Sequence, residues 1–137
     1  MKKERFVPKT KFTIMAVLAV LSLSACKEDK NEPPLNQEAV ARGAKLAEDC
    51  KACHNLQGRT NQVGPYLADV LGRKAGSVSG YDYSEAMASQ DFTWDAEKLQ
   101  AFILDTESVV PGTNMAFGGI DKDQAADVVE YIRSLAR

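Results

Sequence analysis

The sequence predicts a single all-α domain, and two observations support that prediction. Apolar residues recur at three- and four-residue spacing in the segments that begin near residues 36 and 121, which is the period of an amphipathic helix. No stretch alternates apolar and polar residues convincingly, as a half-buried strand would. The chain has 137 residues, of which 45% are hydrophobic. This fits one globular domain and excludes a disordered polar tail and a multi-span membrane protein.

The first and last helices have the clearest boundaries. Asn36 is a good N-cap for a helix that runs toward residue 50. Gly43 lies inside this helix at a cost in stability, which indicates the close approach of another helix. Asp121 can cap the last helix, and Gln124 occupies the position that completes a capping box. The apolar stripe of the last helix consists of Ala125, Val128, Val129, Ile132 and Leu135.

The middle of the chain combines shorter helices with loops. A helix is predicted over roughly residues 95–104, where apolar residues again share one side. A second, short helix is expected around residues 65–71. Glycine-rich stretches predict loops over residues 72–80 and 111–119.

The first 25 residues indicate an export signal. Residues 1–25 hold five basic groups and one acid, and an apolar run covers residues 12–23. A spanning helix needs about 20 apolar residues, so this run is too short to cross a membrane. A basic start, an apolar middle and a small-residue end are typical of a signal peptide. The alternative, a buried helix of the fold, leaves the basic flank unexplained.

The signal ends in Leu-Ser-Ala-Cys at residues 23–26, which resembles the bacterial lipobox. That resemblance implies that Cys26 is acylated, with an ordinary cleavage site and a chance cysteine as the alternative. Several acyl chains hold a small domain stably on a membrane. Residues 26–35 would then be the lipid-bearing tether and residues 36–137 the folded domain. The expected location is the periplasmic side of a bacterial membrane, either cytoplasmic or outer.

Cys50, Cys53 and His54 form the C-x-x-C-H motif through which c-type haem is attached. Two thiols at this spacing can add to the two vinyl groups of one porphyrin edge, and the next residue then presents its imidazole to the iron. Zinc, a redox dithiol and a plain disulfide are the alternatives. A structural zinc site needs four ligands, and a redox dithiol is expected in a βαβ setting. The motif therefore favours haem c.

A second iron ligand has to come from elsewhere in the chain. The sequence contains one histidine, which excludes ligation by two imidazoles. Met87 and Met115 are the methionines that follow the signal. Met115 ends a turn-rich loop that can bring a thioether over the opposite haem face. A lone methionine is usually core filler, so the pattern favours Met115 without excluding Met87.

The stretch from Gly43 to Leu135 resembles class I cytochrome c, the mitochondrial and bacterial soluble kind. The matching segments are Cys-Lys-Ala-Cys-His at 50–54, Gly-Pro at 64–65, Gly-Arg-Lys-Ala-Gly at 72–76, residues 80–86, Thr-Trp at 93–94, and residues 111–119. The resemblance implies the cytochrome c fold, with about four to five helices wrapped around one covalently attached haem. It also implies that the first and last helices cross, with Gly43 making room for Tyr131.

Several residue roles follow from this resemblance alone. It implies that Met115 ligates the iron opposite the histidine. It implies that the Pro65 carbonyl accepts the other ring N–H of that histidine and thereby orients it. It also implies that Arg73, Tyr83 and Trp94 lie near the haem propionates, although simple core packing is the alternative for the two aromatic residues.

The sequence also departs from this family's pattern on the methionine side of the haem. Phe102 stands where mitochondrial members carry a tyrosine whose hydroxyl reaches the methionine sulfur. Met87 stands where they carry an asparagine near buried water. Both changes predict a less polar pocket with fewer hydrogen bonds to the ligand loop.

The lysine ring that surrounds the haem edge in mitochondrial members is missing. The matching neighbourhood carries Asp49, Glu107, Asn114 and Asp121, with Lys51 as the nearby basic group. The partner is therefore expected not to offer an acidic docking face. The mildly acidic composition also argues against nucleic-acid binding.

The predicted function is one-electron transfer by a monomeric, membrane-anchored carrier rather than catalysis. Ligation by histidine and methionine raises the iron potential and fills both axial positions, which suits a carrier. The expected partners are respiratory redox proteins, such as a respiratory complex and a terminal oxidase or reductase. The alternatives are a haem enzyme or a gas or peroxide sensor with a labile methionine ligand, and a fixed subunit of an oxidase or reductase.

Overall fold

The computed structural model describes residues 33–136, which are helical with intervening loops. The helices are α1 (Gln37–Leu46), α2 (Glu48–Lys51), α3 (Glu85–Ala88), α4 (Ala96–Leu104), α5 (Thr106–Val109) and α6 (Lys122–Leu135). The described part contains no strand, only an isolated antiparallel bridge between Lys74 and Thr93. The predicted all-α class is confirmed. The signal peptide 1–25, Cys26 and the tether up to residue 32 lie outside the described residues.

Helices α1 and α6 cross at Gly43, as predicted. A Cβ atom at this position would lie 2.5 Å from the carbonyl carbon of Asp127 and 2.9 Å from Cβ of Tyr131. Glycine is therefore what lets the two helices approach. Arg42 of α1 stabilises the crossing, because its Nε and Nη2 donate to the two carboxylate oxygens of Asp127 on α6 at 2.6 and 2.8 Å. This guanidinium lowers the pKa of Asp127 below its ordinary value.

The predicted caps are present at both of these helices. Asn36 Oδ1 accepts hydrogen bonds from the first turn of α1, and Asp121 and Gln124 form the capping box of α6. The first helix is shorter than predicted, because Ala47 has a ψ of −5° and divides it into α1 and α2. This division and the single-turn helices α3 and α5 explain why six helices are found where about four to five were predicted.

The prediction of a short helix around residues 65–71 is wrong. This segment forms turns, and Asp69 adopts a φ of 54° in the left-handed region. The guanidinium of Arg73 donates to the carbonyls of Tyr66 and Ala68, both at 2.9 Å. Those carbonyls would otherwise accept the hydrogen bonds of a helix, so a side chain beyond the segment replaces its helical pairing.

The core lies where α4 packs against α6. The buried side of α4 contributes Leu99, Phe102 and Ile103, and α6 contributes Ala125, Val128, Val129 and Ile132. α4 begins after Asp95, close to the predicted start, and the Asp95 side chain caps it by accepting from the Lys98 amide at 2.7 Å. None of the helices within residues 33–136 combines the length and apolar character needed to cross a membrane.

Candidate functional site

A cavity of about 290 Å³ opens beside the α4–α6 core, with mostly apolar walls. All of the haem-binding residues predicted within the described chain line this one cavity, although they come from distant parts of the sequence. They are Cys50, Cys53, His54, Pro65, Arg73, Tyr83, Trp94 and Met115.

His54 is held in a defined tautomer just after α2. Its Nδ1 lies 2.6 Å from the carbonyl oxygen of Pro65, and the ring is 9% exposed. Because a carbonyl only accepts, Nδ1 carries the hydrogen and Nε2 keeps its electron pair. Burial lowers the pKa of His54, with the Pro65 hydrogen bond opposing it. The ring is therefore neutral and able to ligate a metal through Nε2.

The His54 imidazole packs closely against the backbone of Gly64. A Cβ atom at Gly64 would lie 2.6 Å from His54 Nδ1 and closer still to Cε1. The backbone of Gly64 is fixed by its N–H, which donates to the Cys53 carbonyl at 2.8 Å. The sequence alone indicates no separate role for this glycine. The only signal was its position next to Pro65, whose carbonyl holds the ring.

Cys50 and Cys53 form no disulfide with each other, and both are half-buried at the cavity wall. The turn that ends α2 brings them together, because the Cys53 and His54 amides both donate to the Cys50 carbonyl. Burial raises the pKa of the Cys50 thiol, with the charge of Asp49 adding to the effect. Both sulfur atoms therefore lie at the wall of one cavity, at the C-x-x-C spacing.

Met115 lies in the loop between α5 and α6, which forms another part of the cavity wall. Its carbonyl accepts from the Phe117 amide at 3.0 Å and from Thr106 Oγ1 at 3.5 Å. Glu107 supports the same loop through a 3.0 Å hydrogen bond from the Gly112 amide. Neither of these hydrogen bonds between α5 and the loop was predicted from the sequence. The only sequence signal for α5 was Asp105, which caps it. Met87 is also buried at the cavity wall, so the structure brings both candidate methionines there.

Arg73, Tyr83 and Trp94, the residues predicted to contact the haem propionates, all line the cavity. Arg73 lies over the Tyr66 ring at 5.0 Å and uses two of its nitrogen atoms on backbone carbonyls. Burial raises the pKa of Tyr83, which therefore stays a neutral hydrogen-bond donor. Trp94 is buried, with its ring centroid 5.1 Å from that of Phe102.

This arrangement fits a haem. The cavity combines apolar walls with one neutral imidazole, a thioether from a separate loop and two thiols at the C-x-x-C spacing. When bound, haem supplies an iron that gains and loses one electron. The protein contributes the ligands and shields the haem from water.

The sequence model of the Cytochrome c family matches residues 40–136. The chain belongs to the cytochrome c family. It is 41% identical to the cytochrome c2 iso-2 of Magnetospirillum molischianum over 87 residues, which cover 63% of this chain and 90% of that relative. It is 38% identical over 101 residues to the cytochrome c-type cyt cy of Rhodobacter capsulatus, covering 73% of this chain and half of that relative.

A solved structure gives the same result for the fold. Cytochrome cH from Methylobacterium extorquens superposes with a TM-score of 0.65 at 40% identity, covering 69% of this chain and 97% of that one. The predicted cytochrome c fold is therefore confirmed. As a cytochrome c, the protein carries one covalently bound haem c and is an electron-transfer protein rather than an enzyme, and it exchanges electrons with other redox proteins.

The Phe102→Tyr substitution tests the apolar character of the methionine side. Phe102 is buried and lines the cavity. A new hydroxyl that donates to the sulfur of Met115, the predicted ligand, turns its positive end toward the iron and disfavours the ferric state. We expect the reduction potential to rise by about 20–60 mV, the equivalent of one hydrogen bond.

Phe92→Tyr is the matched control for this measurement by redox titration. The Phe92 ring also packs on Trp94, with centroids 4.8 Å apart, but does not line the cavity. Its potential should stay at the wild-type value. An unchanged potential in Phe102→Tyr would contradict the proposed lack of hydrogen bonds on this side.

Proposed function

We propose that this cytochrome c is a one-electron carrier whose haem is attached through Cys50 and Cys53 and ligated by His54 and Met115. The observation that supports this proposal is the shared cavity. It gathers the chain's one imidazole and a thioether that follows it 61 positions later, together with both thiols. Both axial positions of the iron are then occupied by the protein, which suits electron transfer and leaves no position for a substrate.

The remaining cavity residues have supporting roles in this proposal. Pro65 fixes the ring orientation of His54 through the 2.6 Å contact with Nδ1. Arg73, Tyr83 and Trp94 donate hydrogen bonds to the haem propionates, whose charge would otherwise be costly to bury. Arg73 has donors left for this role, since two backbone contacts use only part of its five N–H groups.

Replacement of each methionine by leucine tests the ligand assignment. Leucine is close in volume to methionine but offers no sulfur. The oxidised wild-type protein is expected to show the sulfur–iron charge-transfer absorption band. Met115→Leu should abolish this band, and the control Met87→Leu should keep it.

The other outcomes of the methionine experiment have separate meanings. Loss of the band in Met87→Leu alone would show that the ligand assignment is wrong. A wild-type protein without the band would have an open iron site and would support a haem enzyme or sensor. Colourless protein after export with intact maturation machinery would contradict haem attachment itself.

We further propose that the carrier is exported and tethered to the periplasmic side of a bacterial membrane. Residues 1–25 serve as the signal peptide, Cys26 bears the lipid, and the charged, proline-containing residues 27–35 link it to the domain of residues 36–137. The tether spans at most about 30 Å, so the domain can rotate but stays near the bilayer.

Cys26→Ser tests this anchor. Without the acylated cysteine, the domain should move from the membrane fraction to the soluble fraction while its haem spectrum stays unchanged. Ser22→Ala, in the apolar region of the same signal, is the control and should leave the protein on the membrane. Retention of Cys26→Ser on membranes would contradict lipid anchoring. The measurement is fractionation followed by haem absorbance.

On this proposal the protein is a monomer that shuttles electrons between respiratory partners, such as a respiratory complex and a terminal oxidase or reductase. Recovery of the protein as a stoichiometric part of an oxidase or reductase after mild solubilisation would instead identify it as a fixed subunit.

A further inference from the structure

The mouth of the haem cavity combines apolar and neutral residues with one carboxylate. Four of its lining residues are exposed, and we define the mouth by them: Asp49, Val63, Asn114 and Ala116. Val63 is 77% exposed, more than any other large hydrophobic residue within residues 33–136. None of the four is a cation. The mouth therefore offers an apolar contact of limited area with one carboxylate beside it.

A second carboxylate is fixed next to this mouth. Glu107 Oε2 accepts the 3.0 Å hydrogen bond from Gly112, which directly precedes the cavity-lining Thr113. The nearest lysine in sequence to Asp49 is Lys51, whose Nζ lies 2.5 Å from Glu48 Oε1. The cation within the C-x-x-C-H motif is thus already paired with Glu48, and the carboxylates dominate the local charge.

The rest of the domain strengthens this field. The described residues 33–136 carry 15 acidic and 9 basic side chains, a formal balance of −6. Residues 75–121, which include the ligand loop, carry eight acidic side chains and a single basic one, Lys98. A negative field on this scale steers cations toward the protein and repels anions.

We propose, on the basis of the carrier function above, that the mouth docks redox proteins whose own contact face is basic. Val63 and Ala116 form the apolar centre of the contact, and cations of the partner lie opposite Asp49 and Glu107. One electron leaves the ferrous haem iron, which becomes ferric, and reduces the partner's acceptor by one electron. The small apolar area gives a short-lived complex, and the charges set its rate of formation.

Electron exchange with two inorganic oxidants of opposite charge tests the sign of the field. Tris(phenanthroline)cobalt(III) is a cation and ferricyanide is an anion, and each takes one electron from the reduced protein. Between about 0.01 and 0.15 M ionic strength, the rate with the cation should fall by about three- to tenfold and that with the anion should rise. The opposite salt dependence would overturn the proposal.

A pair of charge-reversal variants tests the location. Asp49→Lys changes the mouth, whereas Asp91→Lys makes the same charge change at an exposed residue that neither lines the cavity nor adjoins a lining residue. Asp49→Lys should reduce the salt dependence with the cation much more than Asp91→Lys. Equal effects would show that only total charge matters, and would overturn docking at the mouth.

A binding measurement gives a readout that does not depend on electron transfer. The paramagnetic hexaamminechromium(III) cation, added to the reduced protein, should broaden the NMR signals of Val63, Asn114 and Ala116 first. Broadening confined to other surfaces would overturn the proposal. Absence of any exchange with either oxidant would instead contradict the carrier function, so the two failures are distinguishable.

Discussion

Gly64→Ala is expected to prevent assembly of the haem-bearing protein. The new Cβ would overlap the His54 ring, at 2.6 Å from Nδ1 and closer to Cε1. The backbone cannot easily yield, since the Gly64 N–H and carbonyl bind the Cys53 carbonyl and the Gln62 amide at 2.8 and 2.9 Å. Overpacking of about 2 kcal/mol lowers the population of a state about 30-fold. The histidine should therefore lose its position and its contact with Pro65.

The measurement is haem absorbance per mole of exported protein. Gly118→Ala is the control, because it makes the same change in the ligand loop at a position with no atom within 4 Å of the new Cβ. It should yield as much holoprotein as the wild type. A Gly64→Ala protein with normal yield and spectrum would show that the imidazole is not held against this glycine.

The starts of the three longer helices could be predicted because their signals are local. Asn36, Asp95 and Asp121 each cap a helix through amides two or three residues away, and these windows are visible in the sequence. The long helices carry an apolar period over several turns. The single-turn helices α3 and α5 are too short for a period, although Ser84 and Asp105 cap them.

The turns at residues 65–71 could not be predicted for the opposite reason. Arg73 supplies the donors for the carbonyls of Tyr66 and Ala68 from outside that segment. The packing at Gly64 is similar, because it depends on the His54 ring, which lies ten positions earlier in the sequence. Such contacts depend on the tertiary fold, which brings separate segments together. A window of neighbouring residues does not contain this information.

The residues of the candidate site also differ in how far their roles could be predicted from local sequence. The spacing of Cys50, Cys53 and His54 in one turn indicated their chemistry, because all three act on a single haem edge and face. The turn-rich loop favoured Met115 without excluding Met87, and the assignment of Met115 as the ligand came from resemblance. The structure brings both Met87 and Met115 to the cavity, so the spectroscopic test of the two leucine variants remains the decisive one.

Gly43→Ala is expected to destabilise the domain even though alanine is the better helix former. Helix propensity alone predicts a gain of about 1 kcal/mol in the free energy of unfolding. At Gly43, however, the new Cβ would lie 2.5 Å from the Asp127 carbonyl carbon and 2.9 Å from Tyr131 Cβ. A methyl group against a helix backbone forces α1 and α6 apart. Overpacking costs about 2–3 kcal/mol and propensity returns about 1 kcal/mol, so we expect a net loss of about 1–2 kcal/mol.

Ala41→Gly, at an exposed position of the same helix, is the control for propensity. It should lower the free energy of unfolding by about 1 kcal/mol and leave the crossing intact. Denaturant titration of the holoprotein measures both variants. Separation of α1 from α6 would also lengthen the contact of Arg42 with Asp127, so the lowered pKa of that carboxyl should return toward its ordinary value in Gly43→Ala alone. If Gly43→Ala instead stabilised the protein by about the propensity value, the helices would have to lie further apart than this crossing places them.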